Sequence, residues 1–276
     1  MRDIPISVLV TTKNEEDNIA RCLSALRDFA QIIVIDSHSD DRTCDISQTL
    51  GAETILYQWD GRYPKKRQWC LETLDIHHDW VFWVDADEVV TEACIAEIRA
   101  LFQVSRPESG FFVKGQYVWE GAILRHGLRN NKLALINRKR IEFPVVDDLD
   151  IDGMGEMEGH YQPVRKAGFE GDVIGQITAS LLHYAYEDDA GWGARHKRYA
   201  HWEAEMTKRN IWPEDPVFWR EMVKTYLRTS VLRPYVVFLY SYVVKMGVFD
   251  GVNGYRFALS RKRYCDLIYC RLGELG

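Results

Sequence analysis

Residues 80–88, Trp80-Val81-Phe82-Trp83-Val84-Asp85-Ala86-Asp87-Glu88, run from five apolar side chains straight into a cluster of acids. A short run that is apolar on both faces predicts a buried strand of a parallel sheet, and the acids mark its carboxyl end. Three runs of the same kind precede it, at 6–12 (ISVLVTT), 32–35 (IIVI) and 55–57 (ILY). Helical spacing fills the intervals. Asn14 stands as an N-cap before Ile19, Cys22, Leu26 and Phe29. Ser39 and Asp40 precede Ile46 and Leu50, with Gly51 just beyond, and Pro64 suits a first turn leading to Trp69, Cys70 and Leu74. The alternation β-α-β-α-β-α-β predicts an α/β fold, a doubly wound, Rossmann-like and mostly parallel sheet whose ligand site lies at the carboxyl ends of its strands.

Downstream, Thr91 caps an amphipathic helix over 91–102, and 110–119 and 133–136 read as later strands. The run Pro144 to Gly159, PVVDDLDIDGMGEMEG, is acidic and glycine-bearing and predicts a long functional loop. Beyond residue 190 the chain turns helical, basic and aromatic. Two units are therefore expected, an α/β one over 1–190 that holds the strand-end site and a helical extension over 191–276. Charge divides the same way. The net charge of −6 combines −13 over 1–190 with +7 over 191–276, so the two parts face different partners.

With 46% hydrophobic and 28% charged residues, the 276-residue chain can bury a core, which excludes disorder as its main state. No segment reaches the roughly 18 uninterrupted apolar residues of a spanning helix, and Asp3 spoils the amino terminus as a signal peptide, so the expected location is the cytoplasm. Six cysteines, at 22, 44, 70, 94, 265 and 270, form no C-x-x-C pair and read as reduced thiols. The P-loop and G-x-S-x-G patterns are absent. Basic residues interleave with acids and no nucleic-acid-binding motif accompanies them, so nucleic acid is not an expected partner.

Three strand ends carry acids or amides: Thr11-Thr12-Lys13-Asn14-Glu15, Asp36-Ser37-His38-Ser39-Asp40-Asp41, and Asp85-Ala86-Asp87-Glu88. Asp85 and Asp87 can point the same way only if the chain turns sharply at Ala86. Like charges held close repel unless a cation joins them, and hard oxygen ligands select Mg²⁺ or Mn²⁺, which take their remaining ligands from phosphate and water. The pattern therefore points to a diphosphate ligand. The plainer reading of Asp87 and Glu88 is that they favour the start of the helix at Thr91. Asp36 suits a base N–H or a ribose hydroxyl and Lys66 a phosphate, unless Lys65-Lys66-Arg67 is only a solvated helix start.

The blocks ISVLVTTKNEEDNIARCLSAL, IIVIDSHSDDRTCDIS, GRYPKKRQWCLETL and WVFWVDADEVV resemble, in that order, those of the inverting family 2 glycosyltransferases with the GT-A fold. The later segments GQYVWEGAILRHG, KLALINRKRIEF, SLLHYAYEDD and RHKRYAHWEAE resemble those of bacterial lipopolysaccharide-core β-glucosyltransferases and exopolysaccharide enzymes. The resemblance implies that Thr11, Asn14, Glu15, Asp36, Lys66, Asp85 and Ala86 meet a nucleotide-sugar donor, with a UDP-sugar favoured, and that Asp87 holds the metal. It also implies a glycan or lipid-linked acceptor.

Inverting transfer requires a carboxylate to deprotonate the acceptor hydroxyl. Glu158 is the expected base, followed by Glu156 and Asp152, because the flanking glycines permit close substrate approach. His183 is expected at the diphosphate, while Tyr117 and Trp119 are either a sugar platform or core. The uncharged run Tyr235–Val244 among basic residues suits either a buried helix or an anionic membrane surface. The competing reading of the whole chain is a non-catalytic carbohydrate-binding or scaffolding protein on the same fold.

Overall fold

The computed structural model describes residues 3–104, 107–151, 155–156, 161–184, 189–213, 215 and 217–274. Four parallel strands form one half of the main sheet: β1 (Ile4–Thr12), β2 (Phe29–Asp36), β3 (Glu53–Leu56) and β4 (Trp80–Asp85). They lie side by side in the order β3-β2-β1-β4. The remaining strands are β5 (Glu88–Val89), β6 (Gly110–Trp119), β7 (Ala122–Ile123), β8 (Asn130–Asn137), β9 (Ile141–Glu142), β10 (Val164–Arg165) and β11 (Ile174–His183). The sheet continues from β4 through β8, β6 and β11 to β5. β8 pairs antiparallel with both β4 and β6, whereas β11 runs parallel to β6, so the sheet is mixed but mostly parallel.

The apolar runs follow from burial on both faces. On one face Ile6, Val8, Val10, Val34 and Phe82 pack against helices α1 (Ile19–Ser24) and α4 (Glu92–Leu101), which follows α2 (Thr43–Thr49) and α3 (Lys66–Thr73). On the other, Leu9, Ile33, Ile35, Val81 and Trp83 pack against Cys70 and Leu71 of α3. Side chains alternate along each strand, so a continuous apolar sequence supplies two cores at once.

Three local expectations need correction. Asn14 does not cap α1, which starts at Ile19; it adopts φ +56°, a left-handed conformation that asparagine tolerates, and its Oδ1 accepts the Asp40 N–H at 2.9 Å. Ser39 and Asp40 do not cap α2, because Ser39 is turned back onto Asp36 and the Asp41 carboxylate accepts the Thr43 N–H at 2.9 Å. Pro64 lies ahead of α3 rather than within its first turn. Thr91 does cap α4, accepting the Cys94 N–H at 3.2 Å.

The carboxyl-terminal segment forms α5 (Asp189–Arg209), α6 (Phe218–Arg228), α7 (Arg233–Leu239) continuing into a π turn (Tyr240–Val244), a 3-10 turn (Gly247–Asp250) and α8 (Gly251–Glu274). α8 reaches the sheet through Phe257, which packs on Trp119 and Leu124, and reaches α5 through Tyr264 and Ile268 against Ala200. A Cβ on Gly254 would overlap the Gly247 carbonyl, so only glycine lets α8 meet the turn before it. All six cysteines are free thiols.

Candidate functional site

The strand ends converge because the register brings them level. Thr12 pairs with Asp36 across β1 and β2, and Thr11 pairs with Asp85 across β1 and β4. Asp36, Thr12, Thr11 and Asp85 therefore stand in neighbouring positions along one rim. The loops after β1 and β2 are laced together: Asn14 N–H donates to Ser39 Oγ at 2.7 Å, and Glu15 N–H donates to Thr43 Oγ1 at 2.8 Å. Asp36 is fully buried, with Oδ1 accepting the Ser39 N–H at 2.8 Å and Oδ2 the Ser39 hydroxyl at 2.5 Å. Its carboxylate thus shapes the loop after β2.

At the end of β4 the chain turns sharply, as two acids one residue apart require. The Ala86 side chain goes into the core, while Asp85 and Asp87 stay partly open. Lys132 of β8 braces the turn. Its ammonium donates to Asp85 Oδ2 at 2.7 Å and to Glu88 Oε2 at 2.6 Å, and Glu88 also accepts the Asp85 N–H at 2.9 Å. Arg67 stands 3.3 Å from the other oxygen of Asp85.

Burial drives the titration of this group apart. It pushes the closed-off Glu88 carboxyl upward despite Lys132. Burial also acts to raise Asp85, but Lys132 and Arg67 outweigh it and hold that carboxyl well below the usual range. Lys132, opposed by burial and favoured by both carboxylates, is raised and stays charged. The reason that Asp87 and Glu88 simply favour the start of α4 is insufficient, since Glu88 is committed to Lys132 and the Asp85 backbone.

His183, the last residue of β11, pairs in register with Glu88 and brings Nε2 to 3.3 Å from Asp87 Oδ2. Burial alone would lower this imidazole, yet Asp87 raises it above its ordinary value. Its Nδ1 has no hydrogen-bond partner among the described residues. The Tyr117 ring stacks on it at 5.0 Å, whereas Trp119 belongs to the core. Two ligands at adjacent corners of an octahedral Mg²⁺ or Mn²⁺ shell, each about 2.1 Å from the ion, stand about 3 Å apart. Asp87 and His183 fit that edge. Among the described residues no group of three His, Cys, Asp or Glu side chains could enclose an ion alone, so diphosphate and water would supply the other ligands.

Lys65 and Lys66 are buried, not a solvated helix start. Lys66 Nζ stands 2.5 Å from Glu156 Oε1 and also meets Ser37 Oγ, which donates to the same glutamate. Lys65 Nζ donates to Asp148 Oδ2 at 2.7 Å. Glu156, expected among the bases, thus sits at the end of β2 beside Lys66. Glu158 and Asp152 lie outside the described residues. Lys132 and the Lys65–Asp148 pair were not expected from sequence; a lone lysine opening the apolar run LALI at 133–136 is the signal that marks Lys132.

The sequence profile of Glycosyl transferase family 2 matches residues 7–154, more than half of the chain. The chain belongs to this family. An uncharacterized glycosyltransferase of Rickettsia typhi is 37% identical over 98 residues, 35% of this chain and 32% of that protein. The chain thus spans about a third of the length of the Rickettsia relatives it matches. A lipopolysaccharide core biosynthesis glycosyltransferase of Rhizobium meliloti, LpsC, is 30% identical over 188 residues, 66% of this chain and 63% of that protein. Among solved structures, a mannosyltransferase of Pyrobaculum calidifontis in complex with GDP-Man and Mn²⁺ superposes with a TM-score of 0.54 at 12% identity, covering 97% of this chain and 86% of that one. This family member therefore has the GT-A fold that its strand ends imply.

Proposed function

We propose that this family 2 glycosyltransferase moves a hexose, with inversion, from a nucleotide-diphosphate sugar to a glycan or lipid-linked acceptor hydroxyl in cell-surface polysaccharide or lipopolysaccharide assembly, on the cytoplasmic side of the membrane. The observation that carries the reading is the rim itself: Asp85 braced by Lys132, and Asp87 with His183 3.3 Å away at the end of β4. The partial likeness to LpsC supports the pathway class.

In this reading Asp36, Thr11, Asn14 and Glu15 border the nucleoside, and Asp85, fixed by Lys132 and Arg67, orients the ribose or the sugar. Asp87 and His183 hold a divalent ion, which when bound neutralises charge growing on the departing diphosphate. Lys66 is a buried cation beside Ser37 at the end of β2, and displacing Glu156 from it frees an ammonium for phosphate. A carboxylate takes the acceptor proton as its oxygen attacks the anomeric carbon opposite the leaving group, so one displacement inverts the centre. Glu158 takes first place for that role, with Glu156 and Asp152 behind it, because the glycines of this acidic run permit close substrate approach.

The test pairs an assay of UDP-, GDP- and dTDP-sugar turnover, with and without Mn²⁺, with NMR of the product anomer. Metal-dependent turnover giving the inverted anomer is expected, lost in Asp87→Asn and slowed at least a hundredfold in Glu158→Gln. A protein that binds nucleotide sugars but never cleaves them is a carbohydrate-binding scaffold; retained configuration would remove the single-displacement scheme.

A further inference from the structure

Helix α6 faces the wrong way for a helix surrounded by water. Phe218, Trp219, Met222, Val223 and Tyr226 recur at i, i+1, i+4, i+5 and i+8, and all five are exposed, Tyr226 to 81%. The charged side is turned inward. Arg220 and Lys224 reach the buried Asp215 at 3.4 and 2.5 Å, Arg228 pairs with Glu221 at 2.9 Å, and the Arg220 guanidinium lies 4.9 Å from the centre of the Phe112 ring. A surface helix of a water-soluble domain has its apolar stripe toward the core and its charges outward.

The next helix repeats the inversion. From Val231 and Leu232 to Val243 and Val244, exposed apolar side chains fall in adjacent pairs every four residues, a single uncharged stripe along α7 and the π turn. Met246, Phe249 and Val252 extend it through the 3-10 turn into α8. So large a continuous apolar surface marks an interaction site. Basic residues stand against it: Lys245, whose ammonium lies 5.3 Å from the Tyr240 ring centre, and Lys262 of α8, 4.8 Å from the Tyr235 ring centre.

We propose that α6 and the α7–π stripe dock this protein in the interfacial layer of an anionic bilayer. Charge selects the partner. Residues 191–276 carry +7, so a second copy meeting this face would oppose basic surface to basic surface, whereas anionic headgroups complement it. Tyrosine and tryptophan, amphipathic rings suited to the headgroup level, are prominent in the stripe. Length sets the mode of binding. Arg233–Val244 extends only about 18 Å against a hydrocarbon core of roughly 30 Å, and no single described helix is long and apolar enough to cross. The helices therefore lie in the plane, apolar side down, as amphipathic anchors do. This reading is independent of the catalytic one, since none of these residues borders the strand-end rim.

The full chain should sediment with vesicles of phosphatidylethanolamine and phosphatidylglycerol, at least about tenfold more weakly with phosphatidylcholine, and should retain part of its binding at high salt because apolar insertion is not screened. Trp219→Ser combined with Leu239→Asp should lower partitioning at least about tenfold while leaving the thermal melt unchanged. A parent protein that stays in the supernatant at low salt overturns the proposal. So does a doubly substituted protein that sediments as well as the parent, or a stable dimer that the same substitutions split without any vesicle binding.

Discussion

Replacing Lys65 with methionine removes one partner of an ion pair closed to water, with side chains only 1% and 0% exposed and 2.7 Å between Lys65 Nζ and Asp148 Oδ2. Asp148 also accepts the Tyr63 hydroxyl at 2.7 Å and the Trp202 indole N–H at 2.9 Å, so it ties the approach to α3, the loop after β9 and α5 to one another. Breaking a buried pair costs about 3–5 kcal/mol, because the remaining charge is left without its counter-ion. The two donors that stay on Asp148 hold the loss near the lower end, about 3 kcal/mol. At about 2–4 °C per kcal/mol, the melting temperature should fall by roughly 6–12 °C.

Urea unfolding followed by tryptophan fluorescence at neutral pH measures the loss. Lys65→Met with Asp148→Asn removes the charge, leaves the amide oxygen to accept the Trp202 indole N–H and turns the amide nitrogen to donate to the Tyr63 hydroxyl oxygen, so it should recover more than half of the loss. A Lys65→Met protein within about 1 kcal/mol of the parent would refute the reasoning, as would a double variant no more stable than the single one.

Lys132→Met should weaken nucleotide-sugar binding at least tenfold and cost roughly 2–4 kcal/mol, since Glu88 loses its counter-ion and Asp85 its brace; calorimetric titration with donor and Mn²⁺ reads the first effect and a melt the second. Glu97, resisted by burial but held low by the Thr178 and Ala179 N–H groups, contributes stability that is present above the ordinary glutamate range and is lost as pH falls through its depressed value. Glu97→Gln should therefore cost about 0.5–1 kcal/mol at neutral pH and nothing near pH 3, as compared by denaturant midpoints at both pH values. Gly254→Ala should destabilise by about 2 kcal/mol or more, since its Cβ meets backbone rather than a side chain that can move; a melt within about 2 °C of the parent would show that the 3-10 turn gives way.

The parallel half of the sheet was legible because its information is local. Uncharged runs of strand length, each closed by polar residues, could be placed without knowing what they touch, and the observed β4 differs from its expected span by one residue, Asp85. The brace at the D-x-D turn was not legible. It depends on β8 returning antiparallel beside β4, which brings Lys132 to residues more than forty positions away, and no local pattern encodes that pairing. Lys65 and Lys66 were legible only in part for a related reason: a phosphate role for Lys66 could be read from the strand end, but the partners Asp148 and Glu156 arrive from a distant loop. In α6 the amphipathic pattern was present in the sequence, but which face turned inward depended on Asp215 capturing Arg220 and Lys224. The loops after β1 and β2 deceived more locally: Asn14 and Ser39 have cap chemistry, yet both are spent on bonds between the loops.

The most direct measurement is an anomalous difference map from crystals grown with Mn²⁺ and a nucleotide-diphosphate sugar. A manganese peak about 2.1 Å from the Asp87 carboxylate, with His183 in its shell and the diphosphate completing it beneath the ends of β1 and β4, is the expected result. A manganese ion bound elsewhere, with donor in the cleft and Asp87 and His183 still facing each other unligated, would contradict the account.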